Sequence, residues 1–306
     1  MRKPRALRTG DRIAIIAPAS PFAREEFDAG VSELRTLGFE PVYDEDVFAR
    51  DGYLAGSAEL RARAWHRAWN DPDVAGIIAV RGGYGSVQML PLLDAREMRQ
   101  AKAFVGYSDN TSLLMWLTQD CGMVAFHGPM IAGRLAKGPD GYDRDTFERC
   151  LCRAEPAGEI VHPQLETIVS GEAAGLLVGG TLTQLTASLG TPFAFCPPPG
   201  SILFVDEIAE RPYRLDRMFT QLRLAGILSR ISAVIFGELP GCDEPGGSPE
   251  AKSTIRSLFE GFPGPVLFGL PSGHTDGACL TLPFGVRARV IGGAIPALVI
   301  EEAAVD

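Results

Sequence analysis

At 306 residues the chain is too long for one ordinary core and suits two domains of roughly 150 residues each. Its 46% hydrophobic and 22% charged residues exclude a disordered chain, and 35 Gly with 23 Pro imply many tight turns between short elements. A net charge of −9 with no aromatic-interleaved basic stripe argues against a nucleic-acid partner, and no apolar stretch approaches the roughly 20 residues that span a bilayer.

A soluble, cytoplasmic protein with no membrane partner is therefore expected. The basic start Met1-Arg2-Lys3-Pro4-Arg5 resembles a signal peptide, but the apolar run after it is short and reads as a strand. Cys121, Cys150, Cys152, Cys196, Cys242 and Cys279 form no CxxC pair or Cys/His grouping, so reduced thiols and no metal are expected.

In chain order, Arg12 to Pro18 reads as a strand and Arg24 to Leu37 as a helix, with Phe27, Val31, Leu34 and Leu37 at helical spacing and Gly38 ending it. Pro41 to Tyr43 reads as a strand, Ala58 to Trp69 as a helix, Val74 to Val80 as a strand, Ser86 to Leu93 as a helix and Lys102 to Tyr107 as a strand. This alternation predicts a parallel sheet with helices on both faces, and places ligands at the carboxyl ends of its strands. From about Pro139 to Gly171 the pattern loosens into a candidate linker. The second half then offers strands at 175–178, 202–205, 231–237 and 266–268, helices near 182–189 and 213–224, and hairpin material at 279–282, 286–291 and 297–301. Asp243 to Pro249 reads as an exposed loop. The predicted class is α/β: a Rossmann- or flavodoxin-like domain over residues 1–160, then a smaller α+β domain over 161–306.

Ser108 sits where a buried strand must turn into a helix beginning at Thr111, with Asp109 and Asn110 as capping residues. Such a turn presents a hydroxyl beside free backbone N–H groups and the positive end of a helix dipole. The segment Gly106-Tyr107-Ser108-Asp109-Asn110 lacks the second glycine of GxSxG, so the residues alone leave open a nucleophile or a simple cap. Arg81-Gly82-Gly83-Tyr84-Gly85-Ser86 follows a neighbouring strand, and its glycines admit an oxyanion or substrate, a phosphate, or simply a tight turn, although the P-loop lysine is missing.

A serine nucleophile needs a base, and there are four histidines. His66 lies mid-helix among charges and His162 precedes a proline in the linker. His127 ends a strand and suits structural hydrogen bonding or the pocket wall. His274, in a glycine-flanked loop, is left as the best base. The orienting acid is sought at Asp206 and Glu207, which point to opposite faces as neighbours on a strand, so only one can serve.

Taken together, these segments resemble the LD-carboxypeptidase family of serine peptidases, which also includes microcin C immunity peptidases. The matching pieces stand in family order along nearly the whole chain: Ile15 to Ser20, Arg81 to Gly85, Gly106 to Thr111, Gly179 to Thr183, Leu203 to Glu207, Pro212 to Arg217, and Gly273-His274. The resemblance implies a Ser, Glu, His triad on which Ser108 is the nucleophile and His274 the base, with Gly82 or Gly83 and the Asp109 N–H as the oxyanion hole. It implies no cofactor or metal, and commonly a homodimer. Two departures stand out. The family's Leu-Glu-Asp reads Val205-Asp206-Glu207 here, which puts the acid on Asp206 with Glu207 as fallback, and the family's Gly-Gly-Asn-Leu reads Gly179-Gly180-Thr181-Leu182.

The expected activity is hydrolysis of the amide between an L-centre and a terminal D-amino acid, such as D-Ala of a murein tetrapeptide in cell-wall recycling, with Arg81 as a carboxylate anchor. The rivals are an immunity-type peptidase acting on an aminoacyl-nucleotide conjugate, and a non-catalytic anion-binding module.

Overall fold

The computed structural model describes residues 1–306, and its first part alternates as the hydrophobic periodicity demands. The elements are β1 (Arg12–Ile16), α1 (Arg24–Thr36), β2 (Glu40–Val42), α2 (Ala58–Asn70), β3 (Val74–Ala79), β4 (Ala103–Gly106), α3 (Thr111–Gln119) and β5 (Ala125–His127). Because β3 and β4 are covered on both faces, every residue of each is buried and the strands run as continuous apolar segments. α1 turns Phe27, Val31 and Leu34 into the core, and α2 is capped by Ser57, whose hydroxyl accepts from the Leu60 N–H.

The five strands are parallel in the order β2-β1-β3-β4-β5. The order reverses between β1 and β3, and in an open α/β sheet that crevice, at the carboxyl ends of the strands, is where ligands bind. The loops after β1 and β3 leave from that crevice. Ser86–Leu92, expected as a helix, is a 3-10 winding interrupted by Pro91, whose ring removes a backbone donor.

The expected linker is a correction. It contains α4 (Arg144–Leu151), β6 (Pro156–Ile160) and β7 (Glu166–Val169). Asp143 caps α4 by accepting from the Thr146 N–H at 2.7 Å, and Phe147, Cys150 and Leu151 are buried. Phe147, Cys150 and Leu151 stand at helical spacing, but the helix is only 8 residues long, so the stripe spans little more than two turns of sequence.

The chain then forms β8 (Gly171–Thr181), α5 (Leu182–Ala187), β9 (Ser201–Asp206), α6 (Pro212–Leu224), β10 (Ile231–Phe236), α7 (Ala251–Leu258), β11 (Val266–Phe268), β12 (Leu282–Phe284), β13 (Arg287–Gly292) and β14 (Ala297–Ala303). Eight strands make a second, mixed sheet ordered β6-β14-β13-β8-β9-β10-β11-β7, with β8 to β11 parallel at its centre. The strand expected at 279–282 falls instead at β12 and pairs antiparallel with β5 of the first sheet, Leu282 opposite His127. α7 was not expected; it follows the loop after Pro240, where Asp243 accepts from the Ala251 N–H at 2.7 Å.

β9 shows how the two sheets share the interior. Ile202 and Phe204 join the core that also contains the first sheet, while Leu203 and Val205 pack with Leu185, Leu215, Phe219 and Ile255 from α5, α6 and α7. Alternation along the strand therefore sends the side chain of Asp206 toward the first sheet and that of Glu207 toward the helices.

Candidate active site

Ser108 begins a short 3-10 turn between β4 and α3 and has φ +62°. A left-handed conformation costs a non-glycine residue about 1–2 kcal/mol, so the surrounding contacts must hold it. Asn110 Nδ2 donates to the carbonyls of Arg81 and Tyr107, both at 3.2 Å. The buried Asp109 carboxylate accepts from the Ser86 N–H at 2.8 Å and from Gln184 Nε2 at 3.1 Å. Burial raises the Asp109 pKa, against the hydrogen bonds from Ser86.

The glycine loop after β3 closes on this turn. A Cβ on Gly82 would lie 2.7 Å from Ser108 Cβ and 2.8 Å from Ser108 Oγ, so only glycine allows the approach. The N–H groups of Gly82, Gly83 and Asp109 make no hydrogen bond within the protein, which leaves donors free beside the Ser108 hydroxyl. Arg61, buried on α2, secures the loop by donating from Nη1 to the carbonyls of Pro18 at 2.7 Å and Gly85 at 2.6 Å. Arg81 is exposed and donates to the Pro21 carbonyl at 3.2 Å.

Ser108, His274, Gly82, Gly83 and Arg81 line one cavity of about 310 Å³. His274 Nδ1 lies 2.8 Å from Asp206 Oδ2, and the His274 N–H donates to Asp206 Oδ1 at 3.0 Å. Asp206 is fully buried. The Thr181 hydroxyl reaches its Oδ2 at 3.3 Å, and the Thr181 N–H donates to Thr111 Oγ1 at 3.0 Å, so threonine at this place ties the acid to the start of α3. Burial lowers the pKa of His274, but the charge and hydrogen bond of Asp206 outweigh it and leave the pKa above the ordinary imidazole value. The ring thus has Nδ1 committed to a carboxylate, which leaves Nε2 as the nitrogen able to take a proton.

Glu207 faces elsewhere. Its Oε2 accepts from the N–H and hydroxyl of Thr183 at 2.8 and 2.7 Å, and its Oε1 from the Ile208 N–H at 3.1 Å. It serves the first turn of α5, and burial raises its pKa against these hydrogen bonds. His66 and His162 lie outside the cavity; His66 is near the Leu92 carbonyl, and His162 accepts from the Gln164 N–H. His127 is buried within the core, 3.9 Å from Asp206.

Sequence reasoning missed Arg134, which is buried and donates to the carbonyls of Gly273 at 2.9 Å, Thr275 at 2.6 Å and Gly277 at 3.0 Å. It fixes the loop on both sides of His274. Glu238 assists by accepting from the Thr275 hydroxyl and the Asp276 N–H. Position alone could have flagged Arg134, which follows the carboxyl end of a parallel strand. No three His, Cys, Asp or Glu residues group closely enough to hold a metal ion.

The chain is similar to known proteins over most of its length. The LD-carboxypeptidase N-terminal domain matches residues 13–128 and the LD-carboxypeptidase C-terminal domain matches residues 174–290. A murein tetrapeptide carboxypeptidase of Pseudomonas aeruginosa is 31% identical over 86% of this chain and 88% of its own. The structure of a muramoyltetrapeptide carboxypeptidase from Oxalobacter formigenes has a TM-score of 0.84 at 31% identity, covering 95% of this chain and 99% of that one. The microcin C7 self-immunity protein MccF of Escherichia coli is 27% identical over 93% of this chain and 91% of its own. A structure of wild-type apo MccF has a TM-score of 0.92 at 25% identity, with both chains covered in full.

Proposed function

Since this chain belongs to the LD-carboxypeptidase family of serine peptidases, we propose that it hydrolyses the amide between an L-centre and a C-terminal D-amino acid, releasing D-Ala from a murein tetrapeptide. The observation that carries the reading is the His274–Asp206 pair at 2.8 Å, with His274 on the cavity that also holds the left-handed Ser108.

In this mechanism Ser108 Oγ attacks the scissile carbonyl carbon while its proton passes to His274 Nε2. The carbonyl oxygen becomes an oxyanion and takes hydrogen bonds from the free N–H of Asp109 and of Gly82 or Gly83. His274 returns the proton to the departing amine as the C–N bond breaks, which leaves an ester on Ser108. A water that gives its proton to His274 then attacks the ester, and the protonated His274 restores the Ser108 hydroxyl. Asp206 holds the ring in the required tautomer and balances its charge. Residues 1–160 would carry the nucleophile and 161–306 the acid and histidine, so the active site depends on both.

Arg81 lies on the cavity wall, where it suits the substrate's terminal carboxylate. Arg81→Ala should raise KM for the tetrapeptide about tenfold with little change in kcat, as loss of a charge-assisted hydrogen bond implies; an unchanged KM would remove this role.

The likeness to MccF over the whole chain favours one second reading, cleavage of an aminoacyl-nucleotide conjugate by the same residues. Turnover of a murein tetrapeptide, measured against that of an aminoacyl sulfamoyl adenylate, separates the two. The carboxypeptidase reading expects the tetrapeptide to be the better substrate, and the reverse order would favour the second. The reading places the enzyme in cytoplasmic recycling of cell-wall fragments. A homodimer accompanies it by family resemblance, which light scattering on the purified protein tests.

A further inference from the structure

The mechanism leaves His127 unused, although it lies against the acid. It closes β5, is fully buried, and packs against Phe204 and Phe284 with ring centroids at 5.0 and 5.4 Å. Nδ1 is 3.0 Å from Ser272 Oγ. Nε2 has no hydrogen-bond partner and lies 3.9 Å from Asp206 Oδ2, the oxygen that also meets His274 Nδ1. A buried, unpartnered ring nitrogen is rare enough to require a cause.

Burial drives the pKa of His127 down to about 4, against the charge of Asp206, so the ring is neutral and has one N–H. If that proton is on Nδ1, it donates to Ser272, whose hydroxyl donates to the Leu280 carbonyl at 2.9 Å. The lone pair of Nε2 then faces a buried carboxylate, which is repulsive. If the proton is on Nε2, the Ser272 hydroxyl turns from the Leu280 carbonyl to donate to Nδ1, and the N–H dipole points its positive end at Asp206. At 3.9 Å this is a charge–dipole contact rather than a hydrogen bond, but between two fully buried groups the low local dielectric makes such a contact strong.

We infer that His127 carries its proton on Nε2 and acts as a positioning residue for Asp206, steadying the carboxylate from inside the core, with the charge of Asp206 setting the tautomer and the Ser272 hydroxyl donating to Nδ1. The inference rests on the reading that Asp206 orients His274. Gly273 belongs to the same arrangement, since a Cβ there would lie 2.7 Å from His127 Cε1.

Long-range proton–nitrogen correlation spectra of the protein with isotope-labelled histidine read the tautomer without any assay. An Nε2–H ring is expected for His127, and an Nδ1–H ring overturns the inference. His127→Phe fills the same space without a dipole and should lower kcat about tenfold at unchanged KM, with His127→Gln recovering most of the loss. A His127→Phe enzyme that keeps kcat within about twofold overturns the inference too. If that variant does not fold, the tautomer of the unsubstituted protein still decides. Full turnover by Asp206→Asn would defeat the reading of Asp206 and this inference with it, whereas an Nδ1–H ring beside an inactive Asp206→Asn defeats the inference alone.

Discussion

Asparagine in place of Asp206 should lower kcat about 10⁴-fold with little effect on KM, the loss expected when the acid of a serine triad becomes an amide. His274 meets Asp206 through Nδ1 at 2.8 Å and through its backbone N–H at 3.0 Å. An asparagine can keep its oxygen on the backbone N–H only by turning its NH₂ toward Nδ1. Nδ1 must then accept, Nε2 carries the proton, and no lone pair remains for the Ser108 hydroxyl. Glu207→Gln is the control, because Glu207 serves Thr183 and Ile208 at the start of α5; it should cost about 0.5–2 kcal/mol of stability, as loss of a cap does, and leave kcat within a few-fold.

The same pair sets the pH dependence. His274 acts as base only when neutral, and its pKa is raised because the charge and hydrogen bond of Asp206 exceed the opposing effect of burial. The acid limb of kcat/KM should therefore lie above the ordinary imidazole pKa of about 6.5, and the residual activity of Asp206→Asn should have its limb at lower pH. Stability runs in the opposite sense. A raised folded-state pKa stabilises fully below the unfolded pKa, and that contribution is lost as pH rises through the folded value. Activity should rise over the interval in which this part of the stability fades. A profile of kcat/KM against pH, paired with thermal melts at the same pH values, checks both signs.

Gly273→Ala should be the most damaging change outside the triad. Gly273 has φ +77°, and a Cβ there would lie 2.4 Å from Asp206 Oδ2 and 2.7 Å from His127 Cε1. The left-handed backbone costs about 1–2 kcal/mol and forced overpacking typically about 1–3 kcal/mol more. The Asp206 carboxylate cannot retreat without breaking its contacts with His274, and His127 cannot move away through Phe204 and Phe284. A drop of roughly 2–5 kcal/mol in unfolding free energy, read by denaturant titration, should accompany a large loss of turnover in the protein that remains folded.

The parts legible in the sequence were those with strong periodicity or strong local chemistry. The fully buried β3 and β4, the amphipathic α1 and α2, and the sharp turn at Ser108 all announce themselves over a few residues. His274 is left by elimination among four histidines; alternation along β9 says only that Asp206 and Glu207 face opposite ways, and the choice between them comes from the family resemblance. Less legible were features that depend on tertiary partners. α4 carries its apolar stripe over only 8 residues, and β12 pairs with β5 of the first sheet although they are far apart in the chain. Arg134 and Arg61 bind backbone carbonyls, and a carbonyl has no sequence signature. The Thr181 contact with Asp206 depends on the parallel register of β8 and β9, which places Thr181 beside Asp206.

Covalent labelling of Ser108 tests the central claim most directly. After incubation with a fluorophosphonate, peptide mass spectrometry should find the adduct on Ser108, and His274→Ala should slow its formation by orders of magnitude, because no base remains to take the hydroxyl proton. An unmodified Ser108, or labelling that proceeds at full rate without His274, would contradict the account.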